Sequence, residues 1–175
     1  MTTHRIQIGS VTRELPLREV APGVTIALFD ILGDWELTEA AGRELTKLVH
    51  QDIEALVMPE GKATALLHVV GRETGLPTYV ARKEKKPYMT YTLTATVKSI
   101  TTNRVQQLHM PIDVAAQLAG KKVAIVDDVV SSGGTLNAMV DLLGQARAHH
   151  AATLAIFTEG AERMDVQSLG HLPLF

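Results

Sequence analysis

The run Val123-Ala-Ile-Val-Asp-Asp-Val-Val-Ser-Ser-Gly-Gly-Thr135 constrains the fold more than any other stretch of the chain. Four consecutive apolar residues read as a buried strand, and the two carboxylates after them mark where the chain leaves the interior. Two hydroxyl residues and two glycines then make a loop, and from Leu136 to Ala148 the apolar residues recur at helical spacing. The same order of strand, loop and helix appears at Ala55–Met58 ahead of a helix over Ala65–Val70, with further strands at Thr78–Ala81 and Ala152–Phe157. Asp34 is placed to cap another helix, whose Leu37, Ala41, Leu45, Leu48 and Val49 share one face. Strands alternating with helices predict an α/β fold with a mostly parallel, doubly wound sheet and helices on both faces.

Two segments stand outside this rhythm. Polar and apolar residues alternate around Ile6, Ile8, Leu15, Leu17 and Val20, which predicts a β-hairpin over about residues 4–20, before a turn at Pro22-Gly23. The Thr- and Val-rich stretch from Tyr88 to Met110 reads as two extended segments joined near Thr101-Thr102-Asn103, an excursion from the sheet. With 175 residues and no internal repeat, one domain over residues 1–175 is expected. A net charge of −2 gives the chain as a whole no electrostatic reason to seek nucleic acid or an acidic membrane, so any polyanion site must be local. No apolar run approaches the ~20 residues of a membrane span, and Met1-Thr-Thr-His-Arg-Ile-Gln-Ile lacks the order of a signal peptide. Together with the absence of cysteine, this makes a cytoplasmic location the expectation.

In a doubly wound sheet a ligand sits beyond the carboxyl ends of the strands, which is where the loop after Val126 lies. Ser131, Ser132, Gly133, Gly134 and Thr135 offer hydroxyl donors and backbone amides free of bulky side chains, at a helix N-terminus whose dipole favours an anion. Asp127 and Asp128, acceptors only, would repel a phosphate but can accept hydrogen bonds from sugar hydroxyls. Acid pair and anion loop together describe a ribose phosphate. A nucleoside triphosphate P-loop is excluded, because Leu56 and Ala63 stand where that motif needs glycine and a hydroxyl residue around Gly61-Lys62.

Val126-Asp-Asp-Val-Val-Ser-Ser-Gly-Gly-Thr135 resembles the phosphoribosyl-pyrophosphate (PRPP) motif of the type I phosphoribosyltransferases, and the resemblance runs from about Val24 to Glu159. The runs Ala81-Arg-Lys-Glu-Lys-Lys-Pro87 and Leu93-Thr-Ala-Thr-Val-Lys-Ser99 are similar to the adenine and xanthine branches. The resemblance implies the fold of that family, with a small hood and a mobile β-hairpin loop over about residues 84–108 that closes over the reacting centre. It gives Asp127 and Asp128 the ribose hydroxyls, Ser131 to Thr135 the 5-phosphate, and Met58-Pro-Glu-Gly-Lys-Ala63, with Lys62 and Ala63, the pyrophosphate. A non-proline cis peptide is expected near Gly61-Lys62. Arg82, Lys83 and Lys86 match basic residues that reach PRPP across a homodimer, and Glu60 matches a glutamate that could manage the proton of the incoming base. Magnesium would ride on PRPP, with no direct protein cage.

The identity of the base is read from departures. The hypoxanthine-guanine branch carries an aspartate where Ser131 stands here, which argues against that branch. The xanthine branch carries a lysine after the glutamate that matches Glu159, where this chain has Gly160. The adenine branch carries Phe-Arg-Asp-Ile where Leu28-Phe-Asp-Ile31 stands, shifting the aromatic by one place. Phe29 could stack on a base and Asp30 accept from it, with Glu159 as a further base contact. The expectation is a purine phosphoribosyltransferase, adenine ahead of xanthine. The alternative is a PRPP-sensing regulator of the same fold without turnover.

Overall fold

The computed structural model describes residues 2–97 and 106–175. The chain opens with β1 (Thr3–Ile8), β2 (Val11–Ala21) and β3 (Val24–Ala27), an antiparallel meander in which Ile6, Ile8, Val11 and Leu15 are buried. The expected hairpin is its first half. The Pro22-Gly23 turn, with Gly23 at φ 73°, leads into a third strand beyond the expected hairpin. Phe175 and Thr25 exchange two backbone hydrogen bonds of 2.8 and 3.2 Å, which lays the C-terminal residues along β3.

Helix α1 (Trp35–Thr46) starts where Asp34 caps it, accepting from the Leu37 N–H at 3.0 Å. The same carboxylate meets Arg13 of β2 at 2.7 Å, fastening the meander to the helix. There follow β4 (Ala55–Pro59), α2 (Thr64–Thr74), β5 (Thr78–Ala81), β6 (Thr92–Val97), β7 (Gln106–Pro111) and α3 (Ile112–Leu118). The chain ends with β8 (Lys122–Val130), α4 (Gly134–Gln145), β9 (His149–Glu159) and β10 (Gln167–Leu172). Five strands form one sheet in the order β10-β9-β8-β4-β5, and each neighbouring pair is parallel.

Because strand side chains alternate between faces, the continuous apolar runs of the central strands feed two cores. Leu56, Met58, Ala124, Val126, Leu154 and Ile156 pack under α1 and α2 with Leu37, Leu45, Leu66 and Val70. Ala55, Val57, Val123, Ile125 and Ala155 face α3 and α4 through Leu118, Leu136, Met139 and Leu142. Helices therefore cover both faces, as the alternating pattern required. Helices α1 and α2 approach so closely that a Cβ on Gly42 would lie 2.4 Å from Val69 Cγ1.

The excursion is a separate antiparallel pair, β6 with β7, packed on the α4 side of the sheet through Ala95, Leu108 and Met110. Its joining residues, including Ser99 and Thr101-Thr102-Asn103, lie outside the described residues. Backbone bonds of 2.8 and 2.7 Å between Arg82 and His109 attach this pair to the end of β5. Among the described residues no helix is long and apolar enough to cross a membrane.

Candidate active site

Strands β4 and β8 are neighbours, but from them the chain builds outward in opposite directions, β4 toward β5 and β8 toward β9. The loops at their carboxyl ends therefore diverge, and the crevice between them is where open α/β sheets place ligands. A hollow of about 120 Å³ is lined by Ser131 to Leu136 with Asp127, Val129 and Val130. A water's share of liquid volume is about 30 Å³, so an oxyanion of a few heavy atoms fits. Beside it a cleft of about 360 Å³ is lined by Glu60, Lys62, Lys83, Asp127, Asp128 and Thr135 among others. The two adjoin at Asp127, Val129 and Thr135.

The smaller hollow is made mostly of backbone. Strand β8 runs four residues past the Val126 that the apolar run suggested, so the acid pair lies within the strand and the loop begins at Ser131. Gly133, at φ 80°, is the N-cap of α4, and no side chain caps that helix. Its first N–H groups are thereby left for an anion.

Asp127 stands at the junction of the two hollows, and Asp128 lines the larger one. Asp128 is 8% exposed, and its Oδ2 is buried without a hydrogen-bond partner. Lys62 Nζ stands 3.3 Å from that oxygen, close enough for ionic attraction but out of line for a hydrogen bond. A buried carboxylate oxygen without a donor is costly and suits a ligand that brings hydroxyls. The Asp128 N–H donates to Asp127 Oδ1 at 2.9 Å. Burial first, and then the neighbouring Asp128 carboxylate, push Asp127 up to about 8.

The side of the cleft formed by the β4 loop is made of long charged side chains engaged with one another. Lys62 Nζ donates to the Phe29 carbonyl while it faces Asp128, so it bridges the residues after β3 to the acid pair. Glu60 Oε2 accepts from the Lys83 N–H at 2.9 Å, and its Oε1 lies 3.3 Å from Arg82 Nη2. It is thus turned to the end of β5, where it anchors two of the expected PRPP cations. Arg82 Nε is buried without a partner. Lys86 pairs with Glu84 at 2.7 Å, a contact that raises the Lys86 ammonium and lowers the Glu84 carboxyl. Ala63 is buried at the start of α2. The described peptides are all trans, so the cis peptide expected near Gly61-Lys62 is absent. There the Gly61 carbonyl accepts from the Thr64 N–H at 3.3 Å and hydroxyl at 2.7 Å, an ordinary turn into α2.

Of the expected base contacts, Phe29 is only 4% exposed, its ring edge-on to Phe157 at 5.1 Å between centroids. That ring belongs to the core and not to the cleft surface. Asp30 is exposed and accepts from the Leu32 N–H at 3.1 Å. Glu159, at the end of β9, is half-buried and raised by burial, with Lys62 and His171 opposing the rise. One neighbour of the site had no signal in the sequence: Arg163, in the connection from β9 to β10, packs its guanidinium against Gly133.

The family model of the phosphoribosyl transferase domain matches residues 29–169, and the chain belongs to that family. It is 26% identical over 147 residues to the purine biosynthesis transcriptional repressor PurR of Bacillus subtilis, a match that covers 83% of this chain and 50% of the repressor. With the hypoxanthine/guanine phosphoribosyltransferase of Methanosarcina acetivorans it shares 25% identity over 140 residues, 80% of this chain and 70% of that enzyme. The chain thus spans about half the length of the repressors it matches. In structure it is similar to adenine phosphoribosyltransferase from Thermoanaerobacter pseudethanolicus, with a TM-score of 0.69, 17% identity and coverage of 97% of this chain and 95% of that one. The fold is that of the type I phosphoribosyltransferases.

Proposed function

We propose that this chain transfers ribose 5-phosphate from PRPP to a purine base, adenine ahead of xanthine, giving a nucleoside monophosphate and pyrophosphate. The observation that carries the reading is the adjacency of an uncapped, backbone-built anion hollow and a buried acid pair with an unpartnered oxygen, both at the crevice between β4 and β8. The hollow takes the 5-phosphate, Asp127 and Asp128 take the 2′ and 3′ hydroxyls, and Lys62, Arg82 and Lys83 take the pyrophosphate. A ring nitrogen of the base attacks C1 of the ribose as the bond from C1 to the pyrophosphate oxygen breaks, and the nitrogen then releases its proton. Much of the catalysis is positioning, plus stabilisation of charge on the departing pyrophosphate.

No group of three or more His, Cys, Asp or Glu side chains among the described residues is arranged to hold a metal. Asp127 and Asp128, whose Oδ2 has no hydrogen-bond donor, nonetheless fit a magnesium ion that arrives on PRPP and keeps several waters. When bound, that ion would neutralise charge on the diphosphate. The test is to incubate the purified protein with PRPP, magnesium and separately adenine, xanthine, hypoxanthine and guanine, and to measure pyrophosphate and mononucleotide. Formation of AMP is the expected result, and no pyrophosphate with any base would sink the reading.

The similarity to PurR repressors favours one second reading, a PRPP-binding regulator without turnover. It predicts PRPP binding without product, and retention on DNA or RNA that changes with PRPP. A homodimer in the cytoplasm, with the basic run from Arg82 to Lys86 near the partner's site, belongs to the proposal and is checked by sedimentation.

A further inference from the structure

Arg163 sits between exposed neighbours, with Met164 97% exposed, yet its own side chain keeps only 18% exposure. What covers it is the anion loop. Asp165 holds Nε at 3.1 Å and Nη2 at 2.6 Å in a two-point pair, which leaves Nη1 facing the Ser131 carbonyl at 3.5 Å. A Cβ on Gly133 would lie 2.1 Å from Nη1 and 2.9 Å from Cζ. Glycine is favoured at 133 by its φ of 80°, and a Cβ there would push this guanidinium aside.

We propose that Arg163 is a positioning residue for the anion loop, an inference that rests on the ribose 5-phosphate reading of that hollow. In a trans peptide the C=O and N–H point in opposite directions, so a Ser131 carbonyl drawn toward Arg163 turns the Ser132 N–H away from it. Arg163 does not line the hollow, whereas Ser131 to Leu136 do, and on this proposal the Ser132 N–H lies on the hollow side of the loop. Were the peptide to flip, a carbonyl oxygen would face the phosphate in place of a donor. The guanidinium, pinned by Asp165 and set edge-on against Gly133, opposes that flip. A lysine has the charge but not the fork.

Calorimetry on the full chain, titrating ribose 5-phosphate and pyrophosphate separately into wild type, Arg163→Lys and Arg163→Met, tests this. Both variants should lose roughly tenfold in affinity for ribose 5-phosphate, the effect of about one net hydrogen bond. Pyrophosphate affinity should stay at the wild-type value, because the β4 loop and the Arg82 region hold that ligand. Wild-type ribose 5-phosphate affinity in either folded variant overturns the proposal, as does an equal loss for both ligands. If Arg163→Met fails to fold, Arg163→Lys carries the test. A wild type that binds PRPP but no ribose 5-phosphate overturns the inference alone, whereas one that binds neither overturns the functional reading beneath it.

Discussion

The two loops that flank the crevice solve the problem of binding anions in opposite ways. The loop after β8 offers backbone amides and an uncapped helix start, groups whose direction the fold itself sets. The loop after β4 offers long side chains, and in this structure each is already paired: Lys62 with Asp128 and the Phe29 carbonyl, Glu60 with Arg82 and Lys83. An anion in the first hollow finds its donors pre-arranged. A diphosphate in the second must displace existing partners, so much of its binding energy goes into exchange and less appears as affinity. The acid pair sits where the two regimes meet, which makes it the most sensitive point of the site.

The largest effect should follow from changing that pair. Replacing Asp127 and Asp128 together by asparagine removes both carboxyl groups offered to the sugar hydroxyls, Asp128 as the charged acceptor. A hydrogen bond to a charged group contributes about 1.5–3 kcal/mol and one to a neutral group about 0.5–1.5 kcal/mol, so PRPP affinity should fall by roughly 30- to 10³-fold in a calorimetric titration. Melting should stay cooperative, because these carboxylates serve no core contact. An unchanged PRPP isotherm would remove the acid pair from the site.

Glycine substitutions next separate a pre-arranged loop from an adaptable one. Gly133→Ala forces a side chain into the left-handed region, at about 1–2 kcal/mol, and into the guanidinium of Arg163. Ribose 5-phosphate affinity should drop more than tenfold and Tm by several degrees. Gly61→Ala, whose Cβ would meet only the Pro59 carbonyl at 3.9 Å, should change stability by no more than about 0.5 kcal/mol. Equal losses at the two positions would break the contrast between the loops.

Glu60→Gln addresses the self-paired side. The amide can still accept from the Lys83 N–H, but it no longer competes with a diphosphate for Arg82. Pyrophosphate should bind a few-fold more tightly, consistent with the modest strength of a partly exposed ion pair. If instead turnover collapses while pyrophosphate affinity stays constant, Glu60 manages the proton of the base, as the family resemblance implies.

How much of this could be read from the sequence follows the same division. The β8 loop was legible because its chemistry depends on residue types in an unbroken order: acids, hydroxyls, glycines, then helical periodicity. Strands at Thr78–Ala81 and Ala55–Met58, the latter one residue short of β4, and the Asp34 cap were legible for the same local reason. Contacts across the fold were not. Phe29 in a loop reads equally well as a stacking platform or as core, and only its edge-on packing with Phe157 decides which. Arg163 lies 30 residues beyond Gly133 in sequence, with no pattern to join them, because the β9–β10 connection folds back over the loop. Strand β10 and helix α3 are short and carry weak periodicity, so the parallel edge and the second covering layer on the α4 side emerged only from the tertiary fold.

A final effect is a pH dependence that belongs to the acid pair. Burial and the Asp128 carboxylate push Asp127 up from its ordinary value near 4 to about 8, while the Asp128 N–H and then Lys83 pull the other way. Between those values the folded chain binds more protons at this site than the unfolded chain does. This group's contribution to stability is therefore greatest below about pH 4 and declines as pH rises toward 8. Asp127→Asn, which mimics the protonated form at every pH, should melt close to wild type at pH 4.5 and clearly above it at pH 8. Measured by calorimetric melting, a difference between the two proteins that does not grow across that interval would mean Asp127 is ordinarily ionised in the free protein. The ribose site would then be charged before its ligand arrives, and the acid pair would join the self-paired side of the crevice, with Lys62 as its partner.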